Sequence, residues 1–200
     1  MAWGKNGTPE TLGSADADLT ISDLNGVKFN QFMCHAIGAS GGNHNNKWNF
    51  NNDSGSNYAI RKSISGGTDS TSTSQTNMYW HDDNASTEQF SIVYAIGISS
   101  EEKLVIHFDI DNSAGTGAGN APRRTEGVGK WVDTTNTIDR VDKFTTTGNE
   151  DTNSNLSALG SDITPAAAAV TKIQDGAVFY ETDTNKSYIL NNSTWSEEGE

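Results

Sequence analysis

Four histidines, one cysteine and a scatter of acids are the residues with which this chain could do chemistry. His35, His44, His81 and His107 stand in unrelated contexts, with no His-x-x-x-His or Cys-x-x-Cys spacing to gather zinc ligands. Cys34 and His35 are neighbours on an expected strand. Their side chains then point to opposite faces, and the imidazole cannot activate the thiol directly. Asp109, Asp111 and Ser113 alternate as the start of a calcium loop does. Ala114, however, stands where that loop needs Gly and Asn120 where it needs Glu, which excludes an EF-hand. A calcium site of another kind, built from Asp109, Asp111 and Asn112, remains open, because oxygen ligands at a strand end suit a hard cation. The stretch 115–119 is glycine-rich, but it lacks the dinucleotide spacing, and Asn120-Ala121-Pro122 cannot open the helix that would hold a phosphate. Glu101-Glu102 and Asp82-Asp83 read as solvated turns rather than as the paired acids of a glycosidase. The expectation is no catalytic residue, no organic cofactor and no enzymatic activity.

Two aromatic clusters could instead bind a sugar, whose rings need apolar platforms and whose hydroxyls need amides or carboxylates. One is Tyr79 and Trp80 with Asp82, Asp83 and Asn84; the other is Trp48 beside Asn49, Asn51 and Asn52. The competing reading makes Trp48 and Trp80 core residues, because each alternates with polar neighbours.

Strands declare themselves by period-two alternation. In Gln89 to Ile98, the residues Phe90, Ile92, Tyr94, Ile96 and Ile98 share one face, read here as the core face. Lys103 to Ile110 repeats the pattern with Leu104, Ile106, Phe108 and Ile110, and the two runs predict an antiparallel hairpin. Shorter runs, among them Val27 to Ile37, Lys47 to Phe50 and Tyr58 to Ile64, are separated by Gly, Ser, Thr, Asn and Asp. That spacing predicts an all-β fold, an antiparallel β-sandwich of jelly-roll type over residues 1–162. Thr164 as N-cap, Pro165 and the alanines after it predict a short helix. Ala177 to Glu181 and Lys186 to Leu190 then predict a C-terminal β-hairpin, so that 163–200 forms a packing or assembly module. Its Phe179, Tyr180, Tyr188 and Trp195 are the expected contact residues, because a two-stranded unit alone is marginal.

With 13 Lys and Arg against 26 Asp and Glu, the net charge of −13 disfavours nucleic acid as a partner. No apolar run has the length of a membrane span, and Met1 to Asn6 lacks a signal-peptide core, so neither membrane insertion nor that route of secretion is expected. A single cysteine cannot staple the fold, which leaves stability to packing within or between subunits.

Several segments of residues 1–162 resemble a group of phage and virus proteins common in marine sequences, presumed to be virion components. They are Met1-Ala2-Trp3 with Thr11-Leu12-Gly13-Ser14, Asn52 to Ala59 with Arg61, Ser100 to Leu104, Gly119 to Arg124, Gly129 to Val132, and Ser154 to Ser157 with Leu159 to Asp162. Asp175-Gly176 with Phe179 to Tyr188 and Trp195 is similar to a short module found on phage tail and fibre proteins. These resemblances imply a virion structural protein, as capsid decoration, tail or fibre component. It would be assembled in the host cytoplasm from copies of itself, a trimer by expectation, together with other virion proteins. The alternative is a receptor- or glycan-binding module at a fibre tip, acting through Trp80, Tyr79, Asp82 or Trp48.

Overall fold

The computed structural model describes residues 3–39, 43–84, 86–163, 176–183, 185–191 and 194–197. The chain divides into two compact units, Met1–Thr164 and Pro165–Glu200. Among the described residues there is no helix, hence none long and apolar enough to cross a membrane, and every strand pairing is antiparallel. The all-β class read from the alternation is the observed one. The helix expected from Thr164 lies outside the described residues.

In the first unit the described strands are β1 (Gly4–Lys5), β2 (Glu10–Thr11), β3 (Asp18–Ile21), β4 (Val27–Ile37), β5 (His44–Phe50), β6 (Tyr58–Ile64), β7 (Ser70–Gln75), β8 (Met78–Asp83), β9 (Glu88–Ile96), β10 (Lys103–Asp111), β11 (Arg123–Trp131), β12 (Val141–Phe144) and β13 (Asn155–Ile163). The larger sheet runs β1-β13-β4-β9-β10-β11-β6-β7, with β2 also on β13, and a four-stranded sheet runs β3-β12-β5-β8. Among these strands the chain changes sheet at eight of twelve connections, whereas β9, β10 and β11 form a meander. The expected hairpin is β9-β10, with Val105 opposite Ala95 and Asp111 opposite Gln89.

Side chains from the two sheets meet in one core. Phe32 of β4 lies 5.9 Å from the Phe50 ring of β5, and Phe50 lies 5.9 Å from Trp131 of β11. Trp80 of β8 stacks flat on His107 of β10, ring centroids 4.1 Å apart. That approach explains a glycine: a Cβ on Gly127, opposite His107, would stand 2.6 Å from the Trp80 ring. Other buried residues of the larger sheet, Ala36, Ser91, Ala95 and Ala158, are also small, while the smaller sheet buries the indoles of Trp48 and Trp80.

The face assigned to the core from the sequence is reversed. On β9 the buried residues are Gln89, Ser91, Val93 and Ala95, while Phe90 and Tyr94 are exposed and Ile92 and Ile96 are half-buried. Ile98 lies beyond the strand. On β10 the inversion is complete. Lys103, Val105, His107, Asp109 and Asp111 are buried, and Leu104, Ile106, Phe108 and Ile110 are 48% to 56% exposed. On β4, Asn30, Phe32, Cys34 and Ala36 face the core, and Phe29, Met33 and Ile37 are half-buried. Aromatics from other strands already fill the apolar interior, and many of the inward polar groups bond to one another across it. Nothing then forces the apolar rows of β9 and β10 inward.

The second unit is a three-stranded sheet of β14 (Val178–Glu181), β15 (Lys186–Asn191) and β16 (Thr194–Glu197) in that order. The expected hairpin is β14-β15, and β16 adds a strand where the sequence offered only Trp195. The Phe179 ring lies 6.3 Å from Tyr188 and 6.2 Å from Trp195. Phe179, Tyr180 and Trp195 are nonetheless exposed, and Tyr188 is half-buried.

Candidate functional site

Two features of the first unit stand out chemically: a polar cluster sealed between the sheets, and an apolar outer face on the larger sheet. The cluster arises because residues two apart on a strand share a face. β8 thereby presents His81 and Asp83, β10 presents His107, Asp109 and Asp111, and β9 adds Gln89. β5 contributes His44 and Asn46, and β11 contributes Arg123 and Thr125. His81 is the hub. Its Nε2 lies 2.8 Å from Asp83 Oδ2 and 3.9 Å from Asp111 Oδ2; its Nδ1 lies 3.3 Å from Asp109 Oδ2 and 3.1 Å from Thr125 Oγ1. Arg123 pairs with Asp83 and donates from Nε to Asp111 Oδ2 at 2.7 Å. Asn46 donates to Asp109 Oδ2 at 2.9 Å while its own Oδ1 accepts the Trp48 indole N–H at 2.6 Å.

Burial and charge push these groups apart in proton affinity. Burial lifts the Asp109 carboxyl to about 7, against the pull of the nearby His81. Burial works in the same sense on Asp83, but the His81 hydrogen bond and the charges of His81 and Arg123 outweigh it and hold that carboxyl below the usual range. Burial drives the His107 imidazole well below its ordinary value and lowers His44 as well, so both rings are favoured as neutral bases. Asp83, Asp109 and Asp111 have side chains with no solvent exposure. A substrate could not reach them without opening the sheets. Proton exchange or ion binding is what such a site can do.

Of the suggested calcium ligands, Asp109 and Asp111 do enter this cluster. Asn112 does not join them; its Oδ1 accepts the Glu88 backbone N–H at 2.9 Å. The sugar-binding residues require correction. Trp48 and Trp80 are completely buried and offer no platform. Tyr79 is half-buried under the ammonium groups of Lys62 and Lys47, 4.3 Å and 5.4 Å from its ring centre, and Asp82 is exposed beside it. Asn51 and Asn52 take positive φ in a turn, and the Asn51 side chain is spent on the backbone of Thr137, Asp139 and Arg140. The sequence reading missed His44, His81 and Gln89 as site residues and placed Asp83 in the sugar cluster instead. The available signal was the pair His81-x-Asp83 and Asp109-x-Asp111, each placing two ligand-type side chains on one strand face.

The second feature is the outer face. Leu104, Ile106, Phe108 and Ile110 of β10 line up beside Phe90 and Tyr94 of β9 and Val128 of β11, with Tyr94, Ile106 and Val128 in one cross-strand row. Tyr94, Leu104, Ile106 and Val128 of this face, with Trp3, Phe29 and Ile96, line an open groove of about 790 Å³ that Arg61 and Lys130 also border. The outward residues of β9 from Phe90 to Ile96, and of β10 from Leu104 to Ile110, include no Asp, Glu, Lys, Arg or His. Comparison with known proteins adds no relative: no family, no curated protein and no solved structure matches the chain.

Proposed function

We propose that this protein is a virion structural component, as capsid decoration, tail or fibre part, that works by assembling with copies of itself and with other virion proteins. In this reading the first unit is a jelly-roll-like β-sandwich whose outer face is covered by a second copy, with a closed trimer as the final form. The observation that carries the reading is the outward apolar row of β10, flanked by Phe90, Tyr94 and Val128. Monomeric proteins rarely leave so large a contiguous apolar surface in water.

Size and charge favour a second copy as the occupant. These seven side chains and Trp3, all at about half exposure, amount to roughly 800 Å², the area each partner contributes to a standard interface. Chains of net charge −13 repel one another over most of their surface, and the β9 and β10 rows are where that repulsion is least. A copy of the chain is also the partner present wherever the chain is made. The aromatics of the second unit supply a further contact surface, toward another virion protein. The resemblance of residues 1–162 to virion proteins and the absence of any disulfide agree with assembly inside a host cell. Native mass spectrometry of the full chain tests self-assembly, and a soluble monomer at tens of micromolar overturns it. Proteomics of purified particles tests the address, and absence from particles overturns that.

A further inference from the structure

Assembly through the outer face makes no use of the buried cluster, whose charges do not cancel. Asp83, Asp109 and Asp111 are three buried carboxylates, and Arg123 is the guanidinium in contact with two of them. Buried acids thus outnumber the guanidinium that meets them, an arrangement that burial disfavours unless a further cation joins the group. The nearby Lys62 ammonium is given to the backbone carbonyls of Tyr79 and Trp80. We propose that His81 Nε2 and the carboxylates of Asp83 and Asp111 bind a divalent transition-metal ion of the zinc class, with His44 as the fourth ligand. The inference stands independently of the virion reading.

Geometry supports it first. One ligand atom from each of His81, Asp83 and Asp111 lies within 4.8 Å of the others, all three residues buried. An ion holding its ligands at about 2.1 Å separates them by roughly 3 to 4 Å, and His81 Nε2 stands 2.8 Å from Asp83 Oδ2 and 3.9 Å from Asp111 Oδ2. The surroundings of the second imidazole nitrogen agree. A metal-bound histidine gives its other N–H to a carboxylate that fixes its tautomer, and Asp109 Oδ2 lies 3.3 Å from His81 Nδ1. Asp109 is thus a positioning residue.

An independent observation points to a missing ligand. His44 is completely buried, yet neither ring nitrogen has a hydrogen-bond partner among the described residues. Its Nε2 is directed at Asp83 Oδ2 from 3.7 Å and lies 3.9 Å from Glu150 Oε2. A buried imidazole without partners is costly as it stands and is a natural metal ligand. Gln89 adds to the pattern: its Nε2 lies 2.9 Å from His81 Nε2 and its Oε1 has no partner. A half-turn of that carboxamide turns its oxygen toward the ion. Arg123, with 23% of its side chain exposed, is the member of the group that can move toward solvent. It would free Asp111 and open a route in. Two imidazoles among carboxylates select a borderline ion over calcium or magnesium, which prefer oxygen alone.

The test uses the full chain stripped with EDTA and titrated with Zn²⁺ by calorimetry, with Co²⁺ as a spectroscopic probe. The expected result is one ion per chain, a thermal midpoint that rises with free Zn²⁺, and Co²⁺ ligand-field bands of mixed nitrogen and oxygen coordination. Asp111→Asn keeps the shape of the site and should weaken binding at least about 10-fold; His81→Gln should abolish the cobalt bands. Circular dichroism checks that each variant is folded. If a variant does not fold, the wild-type titration decides. Failure of wild type to bind either ion stoichiometrically overturns the proposal. So does affinity unchanged in both folded variants, or a preference for Ca²⁺ over Zn²⁺.

Discussion

Replacing Ile106 with aspartate changes the middle of the outer apolar row and touches nothing inside the protein. Ile106 is 48% exposed in the isolated chain, so a covering partner would remove about half a side chain more from water, worth about 1 kcal/mol per copy. A carboxylate in its place loses that gain and must also be desolvated without a partner, which costs several times as much. Together the change should weaken each contact by about 3 to 5 kcal/mol, a Kd higher by about a hundred- to several-thousand-fold. Sedimentation equilibrium over a concentration series reads this directly. Ile106→Asp should be a folded monomer where wild type is an oligomer, and its urea unfolding as a monomer should stay within about 1 kcal/mol of the wild-type subunit. Val105→Asp, one residue back, is the control. Val105 is 2% exposed and faces the core, so that variant should not fold. Should Ile106→Asp keep the wild-type mass, or unfold as readily as Val105→Asp, the assignment of the face as an interface is wrong.

Two further substitutions test the parity of the strands and the polar bonding of the core. Phe32→Ala should cost about 3 to 5 kcal/mol in denaturant unfolding, because that ring is completely buried, whereas Ile92→Ala on the neighbouring strand should cost clearly less; the reverse order would restore the face read from the sequence. Asp53 offers a pH test. Burial works to raise its carboxyl, but hydrogen bonds from the Trp131 indole at 2.6 Å, Asn57 at 2.9 Å and the Gly55 backbone at 2.8 Å outweigh it and hold the group below the usual range. Its contribution is therefore complete above the unfolded value of about 3.9 and is lost as pH falls through the folded value. Stability measured from pH 5 to pH 2 should decline less steeply in Asp53→Asn than in wild type, and parallel curves would show that those bonds do not act on folding.

The sequence announced strands at 89–98 and 103–110 and their pairing, because alternation and a polar turn are local properties of the chain. Which face turns inward is not local. A row such as Leu104, Ile106, Phe108 and Ile110 is driven out of water, yet its own sheet partner and another molecule satisfy that drive equally well. The inward row of Lys103, Val105, His107, Asp109 and Asp111 looks like a solvent face until its partners arrive from elsewhere in the chain: Asn46 from 63 positions before Asp109, and Arg123 from 12 positions after Asp111. The same long-range supply hid the cluster around His81, since β5, β8, β9, β10 and β11 each contribute only one to three of its members. The tryptophans misled for a related reason. Trp48 and Trp80 sit among polar residues as a sugar platform would, but those neighbours include Asn46 and His81, which are buried with them and bond across the sheets to Asp109 and Thr125. A core that takes in its polar residues as a bonded network frees its aliphatic ones for an outer surface. The inversion of β10 is thus one arrangement seen from two sides: charge gathered inside, where an ion can balance it, and apolar area turned outward, where a second copy can cover it.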